Sequence, residues 1–472
     1  MKHFRNIRVS ALVTILLVLF AAVAISMKSL PSASGAQVVQ TYILSAPQWG
    51  AEQDAAVSAA GGVITYSHGG SGVGIATSTA PDFLDRALAS KKFSDVGIDQ
   101  VVQWQKPLPE TPLVDAAVTP GDETFINLQW NIKAVEAAGA WAAGIDGSGV
   151  RVAVIDGGIY SAHVDLAGNI DVAASRSFVP GFAFNEDVGT FWHGTHVAGI
   201  IAAADNGIGT IGIAPKATII GVKALHNGSG SFGAVIAALL YASTPLSEGG
   251  AGADIINMSL GATFARGGGN TGAGPLIAAL NKAVNFAGKN SLVVSAAGND
   301  GLDLDHSGSV ISVPAQSGSG IAVSATGPVG YAVGYPNGAT NFRRLASYTN
   351  FGNSAIWVAA PGGDAVLPGD DLCSIPAVPA GTVTTPCWVF DLVISTVRGS
   401  AASASSYGFA SGTSMAAPAA SAVAALIKQR FPNISVGDLK NRLAQTADDE
   451  GKPGHDPAYG RGFVNARRAA TE

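Results

Sequence analysis

The sequence predicts an α/β protein: a mostly parallel central sheet flanked by helices, preceded by a small ferredoxin-like α/β unit. Three observations carry the prediction. From about residue 150, short apolar runs alternate with helical stretches: Val152-Ala153-Val154-Ile155, Ala217 to Val222, Asp254 to Asn257 and Leu292 to Ser295. Runs this short and continuous suit strands covered on both faces, and helices between them imply parallel crossovers. Residues 40–104 follow a separate β-α-β-β-α-β order. Finally, charged residues make up only 13% of the chain and hydrophobic ones 47%, with 60 glycines, so a large core of small side chains is expected rather than disorder.

Taken in order, Thr41-Tyr42-Ile43-Leu44 reads as a strand and Ala51 to Ala60 as a helix. Val63 to Tyr66 and Val73 to Thr77 form a hairpin candidate around His68-Gly69-Gly70-Ser71-Gly72. Pro81 to Ala89 reads as a second helix, and Val101 to Trp104 as the closing strand. Residues 105–125 hold Pro107, Pro109, Pro112 and Pro120 with little periodicity, so they read as a linker. The expected division is therefore 1–36, 37–104, 105–125 and 126–472.

Residues 1–36 contain Lys2, Arg5, Arg8 and Lys28 and no acid, which leaves 23 basic and 33 acidic groups in 37–472. That balance excludes a polyanionic partner such as nucleic acid, which needs clustered Lys and Arg. The basic start, the apolar run Ala11 to Ile25 and the small residues Ser34-Gly35-Ala36 read as an export signal cut near Ala36. Left uncut, the same run would be a short membrane anchor facing outside. The cysteines are Cys373 and Cys387. In an exported chain they are expected to form a local disulfide, with two free thiols as the alternative.

Three stretches carry chemistry. Asp156 ends an apolar strand, at the edge where parallel sheets bind ligands; alone it reads as an ordinary strand-end Asp capping the next turn. His193 opens His193-Gly194-Thr195-His196-Val197-Ala198-Gly199, and imidazole suits a general base near neutral pH. No Glu follows it as in the His-Glu-x-x-His metal motif. Ser414 lies in Gly412-Thr413-Ser414-Met415-Ala416-Ala417-Pro418 at the start of an Ala-rich helix, where the helix field favours a developing oxyanion. Alone it would be an N-cap serine.

The order Asp, His, Ser is that of subtilisin. The stretches Val154 to Gly158, His193 to Gly199 and Gly412 to Pro418 closely resemble the three signatures of the subtilisin-like serine peptidases. Ser295-Ala296-Ala297-Gly298-Asn299 resembles the fourth, whose Asn donates to the oxyanion. The resemblance spans about 125–472, and 40–104 looks like the family's inhibitory propeptide. It implies a subtilisin-like fold and a secreted serine endopeptidase made as an autoprocessed zymogen, with no catalytic cofactor. Protein or peptide substrates, the chain's own propeptide as inhibitor and a monomeric state are also implied. One departure stands out: the family usually has Ser or Thr after the catalytic Asp, and here Gly157 is expected to loosen the Asp156–His193 geometry slightly.

By the same resemblance, Gly228-Ser229-Gly230 and Ser259-Leu260-Gly261 flank an extended substrate, and Ala297, Gly298 and Ser312 border its pocket. Ser312 stands where an acid would select basic P1 residues, which points to apolar or medium-sized side chains. Ala204 to Thr210 resembles the family's Ca²⁺ loop, with Ala204, Asn206, Ile208 and Thr210 as ligands and Asp165 as supporting carboxylate. The same triad would also serve acyl transfer to an amine. An intact triad with Asn299 argues against a catalytically dead binding protein.

Overall fold

Side chains alternating along each central strand find an apolar layer on both sides, and this is what makes the sheet. The computed structural model describes residues 38–105, 113–115, 124–186, 192–266, 272–378, 381–399 and 405–472. The expected export signal and most of the linker lie outside the described residues. Residues 40–472 form one compact unit.

The chain begins with β1 (Gln40–Ser45), α1 (Ala51–Ala59), β2 (Gly62–His68), β3 (Val73–Ser78), α2 (Phe83–Ala89) and β4 (Asp95–Ile98). The strands pair antiparallel in the order β2-β3-β1-β4, the ferredoxin-like arrangement. Tyr42, Leu44, Val57, Ala76, Phe83 and Val96 form its core.

The closing strand is not Val101 to Trp104, as the sequence reading had it, but β4. Gly97 in β4 disguises it: a Cβ there would sit 3.0 Å from Pro275 and 3.2 Å from Leu276. Close packing thus demands a residue of poor strand propensity. The segment expected to close the unit, β5 (Val101–Gln103), leaves it instead.

The remaining elements are β6 (Leu113–Asp115), α3 (Trp130–Ala134), α4 (Ala137–Ala142), β7 (Arg151–Asp156), β8 (Arg176–Ser177), α5 (His193–Ala202), β9 (Thr218–Lys223), β10 (Ser229–Ser231) and α6 (Phe232–Ser243). They continue with β11 (Ile255–Met258), β12 (Ala262–Ala265), α7 (Gly274–Ala287), β13 (Leu292–Ala296), β14 (Val310–Val313), β15 (Ile321–Thr326) and β16 (Ile356–Pro361). The hairpin β17 (Leu372–Pro376) and β18 (Thr382–Pro386) follows, then β19 (Val393–Arg398), β20 (Ser405–Ala410), the long α8 (Thr413–Arg430), α9 (Val436–Gln445) and α10 (Ala466–Thr471).

Strands β16-β15-β13-β11-β7-β9-β8 form a parallel sheet in that order. In β7, Val152 and Val154 face the layer containing Val197 of α5 and Val423 of α8, whereas Ala153 and Ile155 face Leu239 of α6 and Leu280 of α7. Period-2 alternation therefore exists, but both faces are apolar. The N-terminal unit packs its free face on α6 and α7: Ile43 and Val73 join their core, and Lys282 Nζ donates to Ala46 O at 2.9 Å.

Candidate active site

Asp156 ends β7 at the carboxyl edge of the sheet and is buried. Its Oδ1 accepts the Gly157 N–H at 2.6 Å. Lys223, opposite it at the end of β9, is also buried and donates from Nζ to Gly157 O and, at 3.1 Å, to Glu186 O. That ammonium pins the turn after the carboxylate.

His193 is the first residue of α5, and its Nδ1 lies 2.9 Å from Asp156 Oδ2. Ordinary hydrogen-bond length is kept despite Gly157, so the expected loosening is absent. Gly194 makes the approach possible, because a Cβ there would meet Gly158 O at 2.3 Å and Asp156 Oδ1 at 3.0 Å. His196 has another role. Its Nε2 lies 3.1 Å from both Val393 O and Gly408 O, and burial, with His193 nearby, pushes its pKa down to about 3. It is a neutral tie between α5 and the β19–β20 hairpin.

Ser414 is the second residue of α8, and its Oγ lies 3.3 Å from Ser259 O. A buried chain supports it: Ser421 Oγ donates to Asn257 Oδ1 at 3.0 Å, Asn257 Nδ2 to Ser259 Oγ at 3.0 Å, and Ser259 Oγ to Ser414 O at 2.7 Å. Asn299 follows β13, and its Oδ1 accepts from Thr413 N and Oγ1. The carbonyl end being held, the Nδ2 end is the donor left for the cleft.

His193, Leu260, Gly261, Gly298, Asn299, Ser312 and Ser414 border one cleft of about 200 Å³. Ala297 is buried behind it, its carbonyl taking Asn350 Nδ2 at 3.0 Å. Asp300, which the sequence reading passed over, also lines the cleft. Asp303 and Asp305 are engaged elsewhere, with His306 Nδ1 at 2.7 Å and the Asn353 N–H at 2.6 Å respectively. Ala262 and Thr263 also line the cleft, and among the described residues none from 362–399 does.

The expected substrate strands are occupied by the chain itself. Strand β5 pairs antiparallel with β10, Gln103 opposite Ser229 and Val101 opposite Ser231. Gly228 O accepts the N–H of Trp104 at 2.9 Å, and Gly261 N donates to Trp104 O at 2.9 Å. The Trp104 ring meets Phe232 edge-on, with centroids 4.9 Å apart, and its Nε1 donates to Gly230 O at 2.9 Å. Gln105 is buried beside Asp156 and His193. Nothing in the sequence singled out these two side chains.

Asp165 and the loop Ala204 to Thr210 do come together. Asp165 Oδ2 accepts Thr210 N at 3.0 Å, Ala204 N donates to Asp165 O at 2.8 Å, and Asn206 Oδ1 accepts Ile208 N at 3.0 Å. Among the described residues no group of three or more His, Cys, Asp or Glu could hold a metal ion. One carboxylate, one amide and backbone carbonyls form an all-oxygen set, which fits a hard cation only. Cys373 and Cys387 are joined in a disulfide at the base of the β17–β18 hairpin. Among the described residues no helix is long and apolar enough to cross a membrane.

A carboxylate, imidazole and hydroxyl at the carboxyl edge of a parallel sheet define a hydrolase of the acyl-transfer class. Residues 147–462 match the subtilase family, and the chain belongs to that family; it is a serine endopeptidase. It is 32% identical over 342 residues to Subtilisin DY of Bacillus licheniformis, covering 72% of this chain and 98% of that one. Subtilisin Savinase of Lederbergia lenta is 35% identical over 345 residues, covering 73% and 98%. A protease of Pseudoalteromonas arctica superposes with a TM-score of 0.57 at 28% identity, covering 75% of this chain and 99% of that one. The epidermin leader peptide processing serine protease of Staphylococcus aureus gives 0.67 at 20% identity over 92% and 98%, a likeness of fold.

Proposed function

We propose that the chain is a secreted endopeptidase made as a zymogen that processes itself, with Asp156, His193 and Ser414 as its catalytic triad. The observation that carries this reading is the 2.9 Å Asp156–His193 contact in a cleft shared with Ser414 and Asn299. Ser414 Oγ attacks the scissile carbonyl carbon as His193 Nε2 takes its proton, and His193 returns that proton to the leaving amine. Water then attacks the acyl-enzyme by the same route. Asp156 fixes the imidazole tautomer, and Asn299 Nδ2 and the Ser414 N–H hold the oxyanion. Asn299→Ala should lower turnover about 10²–10³-fold, the range seen in subtilisin itself.

Residues 37–104 act as inhibitory propeptide and folding aid, and 105–125 hold the maturation cut. The β5–β10 pairing supports this, because it is the mode by which an extended peptide would bind. Ser312 in the cleft supports apolar or medium-sized P1 side chains, with Asp300 as an acid at its border. Asp165, Asn206 and the carbonyls of Ala204, Ile208 and Thr210 would hold a structural Ca²⁺ that ties α5 to the preceding loop. Melting 5 °C or more lower in EGTA is expected; an unchanged melting temperature overturns the ion.

Intact mass of secreted wild type against Ser414→Ala tests the whole reading. Wild type should lose everything up to a point within 105–125 and hydrolyse casein, and Ser414→Ala should do neither. Equal casein hydrolysis by the two overturns the triad, and equal masses overturn self-processing.

A further inference from the structure

The departure at Gly157 and the presence of Gln105 meet at one carboxylate, the Gly157 N–H on Asp156 Oδ1 and Gln105 Nε2 on Oδ2. Gln105 is 4% exposed, and its Nε2 lies 2.9 Å from Asp156 Oδ2, 2.9 Å from Ser259 O and 3.0 Å from His193 Nδ1. The amide has two N–H groups, and two acceptors stand in range, a carboxylate and a carbonyl. His193 Nδ1–H points to the same Asp156 oxygen, so Oδ2 has two donors. The reversed amide would set Oε1 against both oxygens, and the charge-assisted arrangement is the favoured one. Gln105 Oε1 has no hydrogen-bond partner among the described residues, so the carboxamide is held there by its N–H groups alone.

Backbone contacts fix the reach of that side chain. Gln105 N donates to Gly228 O at 3.1 Å, and Trp104 is held through its N–H, its carbonyl and its indole. A side chain of Gln length on this trace meets Asp156. Among the described residues an apolar side chain of similar size would leave Oδ2 with His193 alone, and residue 157 has no hydroxyl to give the carboxylate a further donor. A Glu would bring a like charge against Asp156.

We propose that Gln105 is a positioning residue for self-cleavage, donating to Asp156 the hydrogen bond that a hydroxyl at residue 157 would otherwise supply. Peptides with Gln in this subsite are therefore favoured substrates, because they bring the missing donor with them. This inference rests on the triad reading above. It adds no step to the chemistry: the donor orients the carboxylate, and the carboxylate orients the imidazole.

The test follows self-cleavage of the full chain by intact mass. Gln105→Leu should slow it about tenfold, the effect of one charge-assisted hydrogen bond, and Gln105→Glu should slow it further. Adding Gly157→Ser to Gln105→Leu should restore the rate to within about threefold, whereas adding Gly157→Ala, which brings bulk without a donor, should not. A purely structural role for Gln105 would not respond to a hydroxyl at residue 157. In a casein-active preparation, peptides of the sequence 101–112 with Gln at the position of residue 105 should exceed the Leu version about tenfold, mainly in kcat, and Gly157→Ser should erase the difference. Wild-type rates for Gln105→Leu, or equal turnover of the two peptides, overturn the inference and leave the triad reading intact. Casein hydrolysis unchanged in Ser414→Ala overturns both.

Discussion

Thr413 grips Asn299 twice, its N–H at 2.9 Å and its Oγ1 at 2.8 Å from the same Oδ1. The residue before the proposed nucleophile thus sets which end of the proposed oxyanion amide faces the cleft. Thr413 Oγ1 also accepts the Gly298 N–H at 3.0 Å, tying the pocket wall to the same point. Thr413→Val keeps the shape and one donor. It should lower kcat about tenfold with little change in KM, because the lost contact aligns a group that acts in the transition state. Steady-state kinetics on a chromogenic peptide check this, and an unchanged kcat would mean the Thr413 N–H suffices.

Gly194 should tolerate no side chain. A Cβ 2.3 Å from Gly158 O must push α5 away from β7, and His193 moves with the helix. Gly194→Ala should retain its far-ultraviolet circular dichroism and lose about 10²-fold in kcat/KM, the cost of displacing a catalytic group by about 1 Å. Activity within twofold of wild type would show that the Asp156–His193 pair does not depend on this contact.

Acid should destabilise the fold before it protonates most carboxylates. Burial pushes His196 down to about 3 and His163 to about 4, the latter opposed by its bond to Ser406 O. Above the unfolded value of about 6.5 neither state binds a proton at these sites, so stability is flat there. As pH falls from 6.5 towards 4, the unfolded chain takes up protons that the folded chain refuses, and stability drops. Asp391 acts in the opposite sense. Burial raises its carboxyl to about 6 against the N–H groups of Gly330 and Tyr331, so the folded form gains between pH 6 and the ordinary 3.8. Two imidazoles outweigh one carboxyl, for a net loss on the order of 3 kcal/mol. Melting of Ser414→Ala between pH 7.5 and 4.5 should show a falling midpoint, and a rising one would contradict the sign.

The Cys373–Cys387 hairpin braces the segment 124–128 rather than the cleft. Val378 N donates to Thr124 O at 2.9 Å, and Asn127 Nδ2 to Pro376 O at 3.0 Å. Closing a loop with a sequence separation of 14 constrains the unfolded chain by about 3 kcal/mol. Replacing both cysteines with serine should raise hydrogen exchange together at 372–376, 382–386 and 124–128, with kcat unaffected. Exchange confined to the hairpin would show the brace to be idle.

Much of this was legible in the residues. Buried strands such as Val152 to Ile155 betray themselves as short apolar runs, and Asp156, His193 and Ser414 each sit at a strand end or helix start that local pattern marks. The fate of residues 95–105 was not legible. Gly97 weakens the strand that forms, and Val101 to Trp104 has the composition of a strand whose partner only the tertiary fold supplies. Lys223 is hidden for a similar reason: nothing local says that its ammonium will be buried under Gly157. Gln105 carries no motif, and its place depends on where β10 ends.

On the propeptide reading proposed above, the β5–β10 pairing also sets a clock. While β5 remains covalently attached, it meets β10 at an effective concentration on the order of millimolar. A cut beyond Gln105 makes the same contact bimolecular, and its occupancy then falls with dilution. A chain released into a small volume would stay silenced by its own fragment, whereas one released into a large volume would begin to work at once.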